Sequence, residues 1–329
     1  MTPPKPPISK WRFLALYWAV ILPLSFVGWG ALSAGGIGSG VFRFLAESAY
    51  QWHFAGFACA VMIVQAAFLA PVREPGSRAV DWWWSRALRC ALAGAAVGIM
   101  LAFALFAVLL VLDELNWLTP ELPLIGDLES ASFFIYAAPP AALTALALFF
   151  RSRTGASARV SLFIAAFGAG LMAMGIPWVA HSLILNFGAA EPPDRAFAVA
   201  IVGTLLVSWA IATPLLLRFL RRGHADDRLG RVAAWLFTGT VVEAAAVIPL
   251  DIMVRRKTDC YCGEGTLWTL TICWGVGLWA LGPAIWLIPL ARRRKRWYAG
   301  VCPVCGYDMT GLADAPRCPE CGSGWKAAV

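Results

Sequence analysis

Long apolar runs separated by short polar segments dominate this chain. Within each run the apolar positions are continuous rather than alternating, so the runs read as helices and not as barrel strands. A helix that crosses lipid needs about twenty such residues. Eight runs qualify: roughly Trp11–Leu32, Tyr50–Ala70, Leu88–Leu112, Ala131–Phe150, Val160–Leu185, Ala196–Leu217, Val232–Val254 and Leu267–Leu290. The expected fold class is therefore an all-α polytopic transmembrane bundle of about eight spans. No clean Ala-x-Ala site follows the first run, which is longer than a signal-peptide core, so it reads as a span.

Composition supports lipid as the solvent. Of 329 residues, 60% are hydrophobic and 14% charged, against about 45–50% and about 25% in soluble domains. Mean hydropathy is +0.69. The seventeen Trp suit a membrane–water interface. The net charge of +8 raises nucleic acid as a partner, but the basic residues sit in short loops between runs, where they act as orientation signals. A nucleic-acid partner is disfavoured and the bilayer favoured.

The loop charges are lopsided. The segment before the first run, the second, fourth and sixth loops, and the segment after the last run hold twenty Lys and Arg; the opposite side holds five. Lys and Arg resist translocation, so the rich side is expected to be cytoplasmic, with both termini inside and an even number of spans. Arg255-Arg256-Lys257 disagrees: either the seventh run is re-entrant, or the other loops outvote it. The acidic segment Asp113–Glu129, with Pro120 and Pro123, reads as a solvated external loop. Pro139-Pro140, Pro214 and Pro283 interrupt even-numbered runs and hint at a repeated helical hairpin of the kind transporters use.

The sharpest chemistry lies at the C-terminal end. Cys302-Pro303-Val304-Cys305-Gly306 is followed, after twelve residues counted from Cys305, by Cys318-Pro319-Glu320-Cys321-Gly322. Each Cys-x-x-Cys puts two thiols on one tight turn, and the following Gly accepts the positive φ that turns N–H groups toward sulfur. Four thiolates suit tetrahedral Zn2+ and leave no open coordination position, so the expected role is structural. Metal binding would supply the folding free energy that so short a segment lacks. Free thiols at this spacing imply a reducing compartment, which places the tail on the same side as the charge count does. The chain divides into a transmembrane domain, 1–291, and a basic juxtamembrane segment with zinc-ribbon tail, 292–329. Arg292–Arg296 are expected to hold the last helix end inside and touch anionic headgroups.

The stretch Cys302-Pro-Val-Cys305-Gly306-Tyr307-Asp308-Met309-Thr310-Gly311-Leu312, closing on Arg317-Cys318-Pro319-Glu320-Cys321-Gly322, resembles a zinc-ribbon tail carried by many planctomycete-type bacterial membrane proteins. Those tails usually read CGYDL, with Leu where this chain has Met309. The resemblance covers about twenty residues and implies a zinc-stabilised cytosolic module, with Cys302, Cys305, Cys318 and Cys321 as ligands and no activity.

Of the five other cysteines, Cys59, Cys90 and Cys273 lie in apolar runs and read as buried small hydrophobes. Cys260 and Cys262 are a candidate second thiol pair: a strained disulfide if outside, metal-binding or free if inside. Ionisable residues inside a span carry a functional hypothesis by default. Glu243 and Asp251, on roughly one face of the seventh run, and His181 in the fifth form a candidate intramembrane polar site. The alternative is that Asp251 pairs with Arg255 at i,i+4 at the interface and that Glu243 bonds a neighbouring helix. No HExxH, P-loop, GxSxG or paired-acid glycosidase pattern occurs. The expected function is non-enzymatic: a membrane protein whose ribbon docks a cytosolic partner. The alternatives are a small-solute or ion transporter using the intramembrane acids and, ranked below it, a membrane-embedded enzyme using His181, Glu243 and Asp251.

Overall fold

The computed structural model describes residues 8–33, 48–72, 83–114, 130–151, 158–186, 194–220, 228–239, 241, 242, 245, 282–312 and 314–324. Among them the fold is helical with no strand; two isolated bridges lie in the C-terminal segment. The helices are α1 (Lys10–Ser33), α2 (Ser48–Leu69), α3 (Trp83–Glu114), α4 (Ser130–Arg151), α5 (Ala158–Ala173), α6 (Gly175–Asn186), α7 (Asp194–Leu220), α8 (228–239) and α9 (Leu287–Tyr298). A single 3-10 turn, Gly282–Trp286, precedes α9.

Small residues bring the helices together. Gly94 and Gly98, one turn apart on α3, sit directly against α4. A Cβ at Gly98 would come within 2.8 Å of the Ala141 Cβ, and one at Gly94 equally close to the Ala145 Cβ. Both would also strike carbonyl oxygens, those of Ala137 and Ala141. In lipid no hydrophobic gain drives helices together, so close backbone approach at a Gly-x-x-x-Gly stripe must supply the dispersion contact. The stripe continues toward the start of α3. Arg86, two turns before Gly94, donates to the Phe149 carbonyl at the end of α4 and lies over the Phe149 ring, 4.9 Å from its centroid. α5 and α7 meet through Gly170 against Leu205, with Trp209 set between Phe163 and Phe167 at 4.9 and 5.0 Å between ring centroids. Buried alanines (66, 67, 93, 96, 165, 233, 284) share the core with Leu14, Leu69, Leu162 and Met100.

Basic residues close one end of this bundle. The Lys10 ammonium, at the start of α1, donates to the carbonyls of Leu69, Ala70 and Val72 at 3.0, 2.9 and 2.7 Å. Leu69 ends α2 and also accepts from the Val72 N–H at 3.1 Å, and Ala70 and Val72 follow it, so the cation gathers carbonyls at and just past the negative pole of the helix dipole. Nearby, Ser161 of α5 donates to the Phe68 carbonyl at 2.8 Å. One turn or more into the helices, the Trp18 indole donates to Gln65 Oε1 at 2.5 Å. Arg228 and Arg231, opening α8, lie over Phe219 at the end of α7. Phe13 meets Trp286, and Gly230 lies against Leu287 and Ala291. The starts of α1, α5 and α8, the ends of α2 and α7, and α9 therefore share one end, the end that carries Lys10, Arg159, Arg218, Arg228, Arg231 and the α9 cations.

Three described helical stretches are long and apolar enough to cross a membrane: Trp83–Leu109, Ala158–Pro177 and Val199–Phe219. Ala58–Leu69 is apolar but shorter. The expected count of eight is not supported. The fifth run supplies one of the three, with a one-residue turn at Met174, whose N–H is shared between the Gly170 and Leu171 carbonyls at 3.3 and 3.2 Å. The cause is local: Pro177 has no N–H to bond the Ala173 carbonyl, which loosens the helix where α5 passes into α6. Of the eighth run only residues 282–290 are described, and they form the 3-10 turn and the first turn of α9 rather than an uninterrupted apolar helix. Cys59 also departs from expectation. It is exposed on α2, whereas Cys90 is buried on α3; Cys273 lies outside the described residues. The apolar window of α7 is only 6% buried, against 44% and 50% for those of α3 and α5. An apolar face this open is tolerated in lipid and costly in water.

Candidate metal centre

Helix α9 delivers the chain to the cysteines. Its sequence, LIPLARRRKRWY, buries Leu287 and Leu290 on one face and carries Arg294 on that same face, only 4% exposed. Arg292, Arg293, Lys295 and Arg296 are exposed on the opposite side. Residues 291 and 292 thus fall within one continuous helix. The helix ends in a Schellman motif. Gly300 takes φ +77°, its N–H bonds the Trp297 carbonyl at 3.2 Å, and the Val301 N–H bonds the Arg296 carbonyl at 2.8 Å. Only Gly holds this left-handed backbone without a Cβ penalty. The Met309 N–H then bonds the Gly300 carbonyl at 2.6 Å, and Trp297 packs on the small core of Cys302, Met309 and Cys318. Helix and cysteine module are joined by backbone bonds and a shared aromatic.

The module is one knuckle built twice, sixteen residues apart. In the first copy the Gly306 N–H bonds the Cys302 carbonyl at 2.9 Å, and the Cys302 N–H bonds the Tyr307 carbonyl at 2.7 Å. In the second the Gly322 N–H bonds the Cys318 carbonyl at 2.9 Å, and the Cys318 N–H bonds the Ser323 carbonyl at 2.8 Å. Each copy closes with one antiparallel bridge, Val301 with Asp308 and Arg317 with Gly324. Gly306 and Gly322 take φ +82° and +67°, as the sequence leads one to expect. Between the copies Asp308 Oδ1 accepts from the Thr310 N–H at 2.9 Å and from its hydroxyl, and Gly311 turns the chain at φ +85°. Met309, at the position where the resembling tails carry Leu, is 2% exposed and fills the core between the knuckles.

The two turns face their sulfurs inward. All four Sγ atoms of Cys302, Cys305, Cys318 and Cys321 lie within 4.8 Å of one another. Two of the four cross-knuckle pairs, Cys302 with Cys321 and Cys305 with Cys318, stand 3.7 and 3.6 Å apart. A tetrahedron with metal–sulfur bonds of about 2.3 Å has edges of about 3.8 Å, so the cluster can hold a metal ion with little movement. A set of four thiolates suits soft ions that take tetrahedral geometry.

The electrostatics ask for a cation. Burial opposes ionisation of Cys302, but the Ser323 hydroxyl and the N–H groups of Cys305 and Val304 outweigh it and bring the thiol down to about 6. Cys321 is lowered too; burial again opposes, while the Ser323 hydroxyl and N–H prevail. Cys305 goes the other way, up to about 12. Desolvation of its sulfur and the three neighbouring thiols overcome the Tyr307 N–H. Without a cation, four negative sulfurs repel one another across so small a volume. A bound dication removes that conflict, because a coordinating thiol is deprotonated outright.

Of the other predicted site residues only His181 is described. The His181 ring stacks on Phe197 of α7 at 4.4 Å between centroids, so it packs against a neighbouring helix. Glu243, Asp251, Cys260 and Cys262 lie outside the described residues. Sequence reasoning missed two parts of the centre. One is Ser323, visible only when the two knuckles are set against each other. The other is the Trp297–Gly300 junction, signalled by Gly following the last helical residues. No family model, curated protein or solved structure matches the chain.

Proposed function

We propose that this chain is a multi-pass protein of a bacterial inner membrane whose C-terminal segment is a zinc ribbon serving as a cytosolic docking or assembly module. The observation that carries the reading is the closed cluster of four thiols fused to α9. All four coordination positions are taken by protein sulfur, so the metal has no place for substrate and does structural work. The Schellman motif and Trp297 hold the ribbon in fixed relation to α9, as a presentation device requires. Three apolar helices, with a lipid-tolerant face on α7, support the membrane assignment. The gathering of Lys10, Arg159, Arg218, Arg228, Arg231 and Arg292–Arg296 at one end supports a cytoplasmic location for that end, with both termini inside. The exposed cations of α9 suit anionic headgroups. The likeness to tails of planctomycete-type membrane proteins points the same way.

The test is deletion of residues 300–329, alongside Cys318→Ser, in the native host. Both variants are expected to stay in the membrane while losing the proteins that co-purify with the intact chain, or falling in abundance. Unchanged partners and abundance in both variants would contradict the docking role. Protease added to the periplasmic face is expected to leave the ribbon intact; digestion from that face would contradict the topology.

A further inference from the structure

The two knuckles share backbone, hydrogen bonds and glycines, yet they differ at the fifth residue after the first cysteine, where one has Tyr307 and the other Ser323. Both contribute a carbonyl to the preceding Cys N–H. Their side chains part company. Tyr307 is exposed. Ser323 turns inward, with its hydroxyl 3.0 Å from Cys321 Sγ and 3.3 Å from Cys302 Sγ. Cys321 belongs to its own knuckle and Cys302 to the other, so one hydroxyl bridges the two halves of the cluster on the Cys302–Cys321 edge. Among the described residues the opposite edge, Cys305 with Cys318, has no such hydroxyl, and Cys305 is the ligand exposed to solvent.

We propose that Ser323 is a positioning residue for the metal: its hydroxyl, giving its one proton to either the Cys302 or the Cys321 thiolate or sharing it between them, holds that edge of the cluster in place around the ion and so slows metal loss, leaving Cys305 as the ligand that opens first. The inference rests on the reading of the cluster as a metal centre. Its chemistry is general. A hydroxyl donating to thiolate sulfur withdraws charge from it, fixes its direction and lowers the repulsion among four anions, and groups that orient metal ligands in this way typically change affinity by about 10–100-fold. A serine reaches both sulfurs through one methylene; threonine keeps the hydroxyl, alanine removes it. The Ala substitution leaves the Ser323 backbone carbonyl that closes the second knuckle.

The experiment uses the full chain in detergent, as wild type, Ser323→Ala and Ser323→Thr. Zinc is titrated against a chromophoric chelator, and in parallel Co2+ replaces zinc so that the thiolate-to-cobalt charge-transfer band reports charge at sulfur. Ser323→Ala is expected to surrender zinc about 10–100-fold more readily and to move the cobalt band to lower energy. Ser323→Thr is expected to restore both. Alkylation after partial chelation, read by mass spectrometry, is expected to mark Cys305 before the other three. An Ala variant that matches wild type in both zinc competition and band position overturns the proposal, as does alkylation that begins at Cys302 or Cys321. A wild-type chain that binds neither metal overturns the metal centre itself, an outcome separable from the former because it needs no comparison of variants.

Discussion

The bundle and the ribbon reach order by opposite routes. In the bundle, helices satisfy their own backbone groups, and contact comes from smallness: Gly94 and Gly98 against Ala137, Ala141 and Ala145, Gly170 against Leu205. Its polar links include Lys10 on the α2 carbonyls and Trp18 on Gln65. The ribbon has almost no apolar interior beyond Met309 and its neighbours. Its order is written in hydrogen-bonded turns around four sulfurs. Removing atoms therefore weakens the ribbon, whereas adding atoms weakens the bundle.

That contrast predicts separable failures. The largest is Cys318→Ser. Structural zinc in small modules contributes about 10–16 kcal/mol of apparent binding free energy at neutral pH, far more than the ribbon's own packing can replace. Metal should be lost and residues 300–324 should become protease-sensitive, while helical circular dichroism and the bundle's thermal transition hold; simultaneous loss of the helices would show that the two regions are not independent. Next is Gly98→Leu. The new side chain overlaps α4 backbone as well as Ala141, and overpacking costs typically about 1–3 kcal/mol, occasionally more. Thermal unfolding in detergent should fall while one metal per chain is retained. Gly300→Ala probes the junction. A Cβ at positive φ costs about 1–2 kcal/mol, so α9 should fray at its last turn with zinc affinity reduced but present, read by hydrogen exchange of the Val301 and Met309 amides.

The smallest effect is at Asp308. Its carboxyl lies below the usual carboxylate range because the Thr310 hydroxyl and N–H donate to the ionised form. A depressed folded value means the stabilisation is present above the unfolded value and disappears as pH falls through the folded one. Asp308→Asn should therefore flatten a slight loss of ribbon stability on the acid side, measured as chelator resistance across that range. Zinc affinity overall should fall with acidification for a separate reason, since protons compete for all four sulfurs.

The sequence is legible to different depths in the two regions. Cys-Pro-x-Cys-Gly encodes its geometry locally, so four ligands and two positive-φ glycines could be named before any coordinates. Within the described residues the helices of the first six runs were readable in the same way. The number of crossings was not, because hydropathy reports transfer into lipid and says nothing of where a helix breaks. Pro177 loosens the helix at Met174 inside an unbroken apolar run, and α9 begins inside what reads as a span. Cys59 shows the same blindness: an apolar run is uniform along its length, so it cannot tell an outward face from an inward one. The Gly94–Gly98 spacing was present in the sequence as a packing signal. Ser323 carries no motif of its own; its meaning comes from the fold bringing two knuckles face to face.

The most direct measurement is the metal content of purified full-length protein, by mass spectrometry of the elements, paired with thiol titration under native conditions. One zinc per chain is expected, with Cys302, Cys305, Cys318 and Cys321 unreactive until a chelator is added. Protein free of zinc, with those four cysteines reacting at once, would contradict the metal-organised ribbon on which the proposed function depends.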